Sequence, residues 1–283
     1  MDANEAQAMA AIREGDRDRY LSVLYAPQET RGALAALYAF NLEVARVRDL
    51  IRGPMPGEIR LQYWRDTLAA DEDGQGHPVA AALRKAIAAH ALPLAAFDNL
   101  LEARIFDLYD DPMSSRTDLE GYCGETASAL IQLAGLVLDA PAAEKHADLA
   151  GHAGCAQAIA GLLRLLPVHR ARGQCYVPLD ILAAAGTTRE AFLAGSDRAG
   201  AARVVAAMIA LAREHFSAFS AGAAALPSSL RPAFLLVAVV PATLHRLERI
   251  DPMTATAGLS PLRRQWLIMR RATWGWGKAP ALT

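Results

Sequence analysis

The stretch "RGALAALYAFNLEVARVRD", residues 31–49, decides the fold. Its apolar residues recur at intervals of three and four from Leu34 onward, which is the spacing of one face of an α-helix and predicts a helix over 30–52. Asn41 and Asp49 lie on that same apolar face. Because an unpaired buried carboxylate is costly, we expect Asp49 to pair with an arginine across a cavity.

The helical period continues along most of the chain, and strand signals are almost absent. The predicted class is therefore all-α, in one domain of about ten helices spanning 1–283, with an N-terminal lead (1–16) and a C-terminal tail (275–283). Thr117 or Asp118 suits the N-cap of the fifth helix. The further predicted helices cover 58–70, 79–90, 94–109, 119–138, 142–166, 188–194, 197–221, 228–247 and 260–272, and the one at 142–166 is apolar on nearly all sides, which places it at the centre.

Composition excludes several classes of protein. Hydrophobic residues make up 53% of the 283 and the net charge is −1, so no overall field favours nucleic acid. Cys123, Cys155 and Cys175 are too widely spaced for a zinc site and are expected to be reduced thiols. The N-terminus shows no targeting pattern, and the longest apolar runs, 204–212 and 233–244, are shorter than the roughly 20 residues of a membrane span. We expect a cytoplasmic protein, at most peripheral on the inner face of a bacterial membrane.

Polar residues on the central helix point to a cavity. Gln157 and Arg164 are seven apart and share a face, and His169, Arg170 and Arg172 follow in the next loop. Polar faces on two helices of an apolar bundle predict a central cavity with a cationic mouth. The alternative is a purely structural ion pair between Asp49 and Arg164 or another arginine. Phosphate-loop, zinc-protease and nucleophile-elbow motifs are all missing, and the histidines lack ligand spacing, so no metal site is predicted.

Three stretches in order resemble squalene and phytoene synthases, which have an all-α isoprenoid-synthase fold around a central cavity. They are residues 18–49, "LEGYCGETASALIQLAG" (119–135) and "AQAIAGLLRLLPVHRARGQCYVP" (156–178), and the resemblance covers roughly 17–250. Together with the helix-face argument, it implies a cavity or ligand-binding wall made by Tyr38, Asn41, Asp49, Tyr122, Gln157, Arg164, Arg172 and Tyr176.

The acidic residues of that family are largely replaced. The resemblance implies two acidic clusters that bind Mg²⁺ ions bridging two prenyl diphosphates. Such ions need several oxygen ligands. Here the positions of the first cluster read Ala45, Arg46 and Asp49, and those of the second read Leu165, Val168 and His169. No catalytic residue, metal or cofactor is therefore expected, and Mg²⁺ would be needed only if the chain were an active prenyltransferase.

The pattern over 39–49 is most similar to a branch of the family that includes a mitochondrial assembly factor for respiratory complex I. That branch also lacks the acidic clusters. The resemblance implies a non-catalytic assembly or lipid-binding factor, with complex I subunits as partners and an isoprenoid or phospholipid in the cavity. Two alternatives stay open: a prenyltransferase that condenses two prenyl diphosphates, and a metal-independent binder of a phosphorylated or lipidic ligand. The latter would use Arg48, Arg164, Arg170 and Arg172.

The last predicted helix, within 260–274, carries Leu262, Trp266 and Met269 on one face with four arginines beside it. Such a helix can rest on an anionic membrane surface. The alternative is a packed final helix whose arginines are solvated.

Overall fold

Helices build the part of the chain that the computed structural model describes, residues 1–70 and 76–277, and no strand occurs within it. The predicted all-α class is confirmed. The α-helices are α1 Ala3–Gly15, α2 Arg17–Leu24, α3 Arg31–Ala45, α4 Val47–Leu50, α5 Pro54–Ala69, α6 Pro78–His90, α7 Leu94–Ile105, α8 Arg116–Cys123, α9 Ala129–Lys145, α10 Ala147–Arg164, α11 Leu166–Ala171, α12 Leu179–Ala184, α13 Arg189–Ala194, α14 Arg198–Ala223, α15 Arg231–Phe234, α16 Val240–Leu247 and α17 Pro261–Trp274. Short 3₁₀ segments cover Phe106–Leu108, Ser228–Leu230 and Leu235–Val239, and a π-helical turn covers Gly124–Ser128.

Helix α10 lies at the centre of the bundle, as its apolar composition predicts. It packs along α14 and also touches α8, α9, α16 and the π-helical turn. Gly154 permits the last of these contacts, because a Cβ there would stand 2.3 Å from Ser128 Oγ and 2.4 Å from the Ser128 backbone. Ser128 Oγ in turn donates a hydrogen bond to the carbonyl of Gly151 at 2.9 Å.

The N-terminal segment, predicted as a lead, is helix α1 and belongs to the core. Ala8 and Ile12 are fully buried, and α1 packs on α3 and α6. Asp2 and Glu5 form a reciprocal capping box at its start. A helix with only two buried side chains has too weak a periodic pattern to stand out among the acidic residues of this segment.

Several predicted helices are interrupted. The helix predicted over 30–52 breaks at Arg46, where backbone hydrogen bonds run from residue i to residue i−3 instead of i−4. The Arg46 N–H donates to the carbonyl of Glu43 at 3.2 Å, and the Asp49 N–H donates to the carbonyl of Arg46 at 3.0 Å. The one predicted over 142–166 begins only after His146. Hydrophobic periodicity does not reveal a one-residue break in a helix, because apolar residues continue at helical spacing after the break.

The N-cap of α8 is Ser115 rather than Thr117 or Asp118. Its side chain accepts a hydrogen bond from the Asp118 backbone N–H, and the Asp118 carboxylate accepts one from the Ser115 N–H. Asp118 therefore occupies the N3 position of a capping box whose N-cap is Ser115. The helix begins at Arg116, earlier in the chain than predicted. The loop predicted to follow the central helix, with His169, Arg170 and Arg172, contains most of α11.

Within the described residues, three continuous helical stretches are long and apolar enough to cross a membrane, by length and composition: Arg116–Lys145, Arg198–Ala223 and Ser228–Leu247. The uninterrupted apolar runs within two of them, 204–212 and 233–244, are shorter than a membrane span and predict none. The difference arises because each helical stretch continues through polar residues. In the bundle, 50%, 44% and 67% of their most apolar windows are buried against other helices.

At the C-terminus, α17 ends at Trp274, and Gly275 follows with a φ of 69°. The Trp276 ring then packs edge-on against Phe219 at 4.8 Å, so this part of the predicted tail contributes to packing. The remainder of the tail, 278–283, lies outside the described residues, as do residues 71–75 between the helices predicted over 58–70 and 79–90.

Candidate functional site

A cavity of about 450 Å³ lies where the helix ends of α3, α7, α8 and α10 converge. Its wall is made mainly of polar and charged side chains. They are Arg19, Arg48, Asp49, Arg104, Asp107, Tyr122, Thr126, Gln157, His169, Arg172, Gln174 and Tyr176. We call it the central cavity.

A hydrogen-bonded cluster around Asp107 forms one side of the central cavity. Asp107 Oδ1 accepts hydrogen bonds from the hydroxyls of Tyr122 at 2.8 Å and Tyr176 at 2.9 Å. Its Oδ2 accepts one from Arg104 Nη1 at 3.0 Å, and the same Nη1 lies 2.9 Å from the Tyr122 hydroxyl. Asp107 is only 7% exposed, so this is a buried ion pair whose carboxylate is satisfied by three donors.

Burial sets the protonation of this cluster. It raises the pKa of Tyr122 and of Tyr176 well above the usual range, so both phenols stay neutral donors. Burial opposes the charge on Arg104, but its contacts with Tyr122 and Asp107 raise the pKa of the guanidinium above its ordinary value. The cluster therefore holds one carboxylate and one guanidinium, bridged by neutral hydroxyls.

His169 lies against this cluster, with its ring centroid 4.9 Å from that of Tyr176. Burial is the main reason that its pKa falls to about 4, with Arg172 and Arg164 adding to the effect and Asp107 and Asp49 opposing it. His169 is therefore a neutral imidazole at pH 7 and adds no charge to the wall.

The positions that correspond to the two acidic clusters mostly face the central cavity. Ala45 and Asp49 line it from one side, and Leu165, Val168 and His169 line it from the other. Arg46 differs: it lines a separate surface pocket between α1, α3 and α5. Arg46 therefore does not face the central cavity, unlike the other five positions.

Asp49 pairs with Arg172 across the mouth of the central cavity. The two side chains are 42% and 43% exposed, so Asp49 is not the buried carboxylate that an unbroken helix would make it. Such a half-exposed pair adds little to stability. Arg48, next to it, lies 3.4 Å from Asp110.

Two of the expected wall residues lie elsewhere in the core. Tyr38 and Asn41 are 3% and 5% exposed and do not line the central cavity. Both share a face of α3 with Ala45, but Tyr38 lies two turns before it and Asn41 one turn before it. The guanidinium carbon of Arg19 lies over the Tyr38 ring, 5.7 Å from its centroid. Helical spacing predicts the face correctly but not how deep the cavity reaches.

Arg164 and Arg170 also lie outside the central cavity. Arg164 lines a smaller cavity of about 190 Å³, and Arg19, Gln157 and Gly161 line both cavities and thus form the shared wall. Burial lowers the pKa of Arg164. Arg170 donates instead to the carbonyls of Leu193 and Met253, which ties three segments together.

The sequence interpretation missed Arg19, Arg104 and Asp107. A signal for the last two was present: Asp107 follows Arg104 by three residues at the end of an apolar helix, which is the spacing of an intrahelical ion pair. The same reasoning that singled out Asp49 would have found Asp107.

Arginines outnumber carboxylates in the lining of the central cavity, and two of them are paired with carboxylates outside it, Arg19 with Asp16 and Arg48 with Asp110. Four arginines line it (Arg19, Arg48, Arg104, Arg172) against two carboxylates (Asp49, Asp107). Within residues 1–70 and 76–277, no group of three or more histidine, cysteine or acidic residues is placed to hold a metal ion. Both carboxylates already contact arginines, so the donor set fits an anion better than a divalent cation.

The chain matches one family model, described as squalene/phytoene synthase, over residues 12–270. Among curated proteins, it is 32% identical over 245 residues to NADH dehydrogenase (ubiquinone) complex I, assembly factor 6, of Rattus norvegicus, covering 85% of this chain and 72% of that protein.

Solved structures share the fold. A dehydrosqualene synthase in complex with ligand superposes with a TM-score of 0.82 at 17% identity, covering 96% of both chains. The squalene synthase HpnC from Alicyclobacillus acidocaldarius superposes with a TM-score of 0.72 at 22% identity, covering 87% of this chain and 93% of that one. At these identities the likeness shows the fold alone.

Proposed function

Since the chain belongs to the squalene/phytoene synthase family, we propose that it is a non-catalytic member of it, an assembly factor linked to respiratory complex I. In this proposal the central cavity binds an anionic isoprenoid or phospholipid without a metal. The protein thus uses an enzyme fold as a binding scaffold.

The observation that carries the proposal is the donor set of the central cavity. Mg²⁺ takes oxygen ligands in octahedral geometry and relies on carboxylates for charge. Ala45, Leu165 and Val168 offer no side-chain oxygen or nitrogen at three of the cluster positions that line the cavity. The remaining carboxylate there, Asp49, is paired with Arg172.

Asp107 does not replace the lost ligands. Its two oxygens accept from Arg104, Tyr122 and Tyr176, and binding Mg²⁺ would mean breaking those bonds and leaving the Arg104 guanidinium buried without its partner. The residues present therefore do not fit the metal ions that prenyl-diphosphate condensation requires, and no catalytic step is assigned to them.

The link to complex I rests on the rat relative and on further proteins of that name, such as one from Bos taurus at 30% identity over 243 residues. Its test is affinity purification of the tagged full chain from its native host, with identification of the co-purifying proteins. Complex I subunits should be enriched, and a deletion strain should lose complex I activity while complex II activity is kept. Purification without any complex I subunit, together with normal complex I activity in the deletion strain, would refute the assembly role.

The alternative function, condensation of two prenyl diphosphates, is tested separately. The protein is incubated with farnesyl or geranylgeranyl diphosphate and Mg²⁺, and diphosphate release is followed. We expect none above the no-enzyme rate. Turnover would overturn the non-catalytic proposal whatever the purification finds.

The cavity ligand is tested by native mass spectrometry of the protein as purified, and by titration with farnesyl phosphate and with phosphatidylglycerol in the absence of metal. Binding should persist in EDTA and weaken in an Arg104→Gln variant. Absence of bound lipid and of affinity for either probe would refute the binding role while leaving the assembly role standing.

A further inference from the structure

Helix α17 presents an apolar stripe to solvent. Leu262, Trp266 and Met269 follow one another at intervals of four and three residues and are 79%, 38% and 42% exposed. Trp274, 50% exposed, continues the stripe, with its ring centroid 6.4 Å from that of Trp266. We call these four residues the α17 stripe. An exposed apolar cluster of this kind marks an interaction surface more often than single exposed residues do.

The opposite face of α17 is fully engaged by the bundle. Ile268 is completely buried, and Arg264 pairs with Asp18 of α2. Arg271 lies over the Trp276 ring at 4.8 Å and donates to the carbonyl of Gly275 at 3.2 Å. The helix is thus held in a fixed orientation, and the α17 stripe points outward because the other face is anchored.

Two arginines run along one edge of the α17 stripe. Arg263 and Arg270 are seven residues apart and lie on the same flank of the helix. Neither forms an ion pair with any residue of the described ranges 1–70 and 76–277, and α17 itself contains no acidic residue. This surface therefore combines large exposed apolar side chains with the positive charge of an exposed Arg263 and a half-buried Arg270, neither paired with a carboxylate among the described residues.

We propose that the α17 stripe, with Arg263 and Arg270, docks on an anionic lipid bilayer. A bilayer surface offers both chemistries at once: an acyl region for Leu262 and Met269, and lipid phosphates for the arginines. Tryptophans such as Trp266 partition to the boundary between these regions. Since this surface is separate from the central cavity, the inference does not depend on the proposed function.

The test is vesicle flotation of the full chain with phosphatidylcholine, alone or mixed with phosphatidylglycerol. Wild type should float only with the anionic vesicles, and salt should weaken the binding. The double variant Leu262→Glu/Met269→Glu should lose flotation. Arg263→Gln and Arg270→Gln should each weaken the partition coefficient about fivefold.

The matched control is Ile59→Glu on α5, which replaces another exposed apolar residue, 65% exposed, on a helix that packs on α7 instead of α17. It should float like wild type, and circular dichroism with thermal melting checks that each variant is folded. A tryptophan emission shift to the blue with anionic vesicles should accompany binding.

Three results would overturn the proposal. One is no flotation of wild type with anionic vesicles. The second is flotation that Leu262→Glu/Met269→Glu leaves unchanged. The third is a wild-type dimer, seen by light scattering, that this variant dissociates, because the α17 stripe would then serve a second copy of the chain.

Discussion

Replacing Asp107 by Asn tests whether the buried cluster stabilises the fold as its geometry indicates. The substitution keeps the shape and one acceptor oxygen for the tyrosine hydroxyls, but it places an amide N–H₂ or a neutral oxygen opposite Arg104 Nη1, which now lies 3.0 Å from a carboxylate. The side chains of Arg104 and Asp107 are 15% and 10% exposed, so the orphaned guanidinium would gain little from water.

Removing one partner of a buried ion pair costs roughly 3–5 kcal/mol. Because both side chains keep some exposure, we take the lower end and expect Asp107→Asn to lower the free energy of unfolding by about 3 kcal/mol. For a chain of this size that corresponds to a melting temperature lower by roughly 6–12 °C. Urea unfolding and differential scanning calorimetry measure the two quantities independently.

The matched control is Asp110→Asn, three residues further along the chain. Asp110 also faces an arginine, Arg48 at 3.4 Å, but its side chain is 52% exposed. Its loss should cost less than about 1 kcal/mol. The double variant Arg104→Gln/Asp107→Asn replaces the ion pair by a neutral amide pair and should be less destabilised than the sum of the single variants by about 2 kcal/mol or more. Equal effects of Asp107→Asn and Asp110→Asn, or strict additivity in the cycle, would refute the reasoning.

Three further predictions follow from single features of the structure. Burial lowers the pKa of His169 to about 4, while in the unfolded chain this imidazole takes up its proton near pH 6.5. The unfolded state therefore binds more protons as the pH falls from 6.5 towards 4, and burying this histidine becomes a growing penalty. Between pH 7 and 4.5 wild type should lose about 2–3 kcal/mol more than His169→Gln in urea unfolding. Ala45→Asp/Arg46→Asp should not produce Mg²⁺-dependent diphosphate release, because the second cluster stays without ligands, and turnover would contradict the donor-set argument. Gly154→Ala should lower the melting temperature strongly, because its Cβ would lie 2.4 Å from the Ser128 backbone. Gly151→Ala on the same helix is the control: its Cβ would meet nothing within 4 Å, so this variant should be neutral or slightly stabilised. Equal melting temperatures of the two variants would refute the close approach of Gly154 to Ser128.

Helical periodicity accounts for what could be predicted of the fold. The three- and four-residue spacing of apolar side chains gives the position and type of nearly every long helix, because burial of one face is what stabilises each of them. Helix α1 was missed since only Ala8 and Ile12 are buried along it, and the break at Arg46 was missed because the apolar face continues beyond it.

The candidate site was predictable only in part, for a related reason. Spacing shows which residues share a helix face, but it does not show which other helix that face meets or how far a cavity extends. Asp49 was expected to find an arginine, yet only the folded chain identifies it as Arg172, which lies 123 positions away. Tyr38 was assigned to the cavity wall from its helix face and the family resemblance, neither of which shows how far the cavity extends. The spacing of Arg104 and Asp107 could have revealed their ion pair, but the hydrogen bonds of Asp107 with Tyr122 and Tyr176 emerge only in the folded chain.

The order in which the chain is synthesised gives helix α17 a second role. The apolar stretch Ser228–Leu247, which has the composition of a membrane span, packs partly on α10, which is made before it, and partly on α17, which is made after it. Until α17 leaves the ribosome, the surface of Leu235–Val239 that it will cover is open to chaperones, membranes and other nascent chains. When α17 folds onto the bundle, it therefore covers the apolar surface of Leu235–Val239 and at the same time exposes the apolar α17 stripe to solvent.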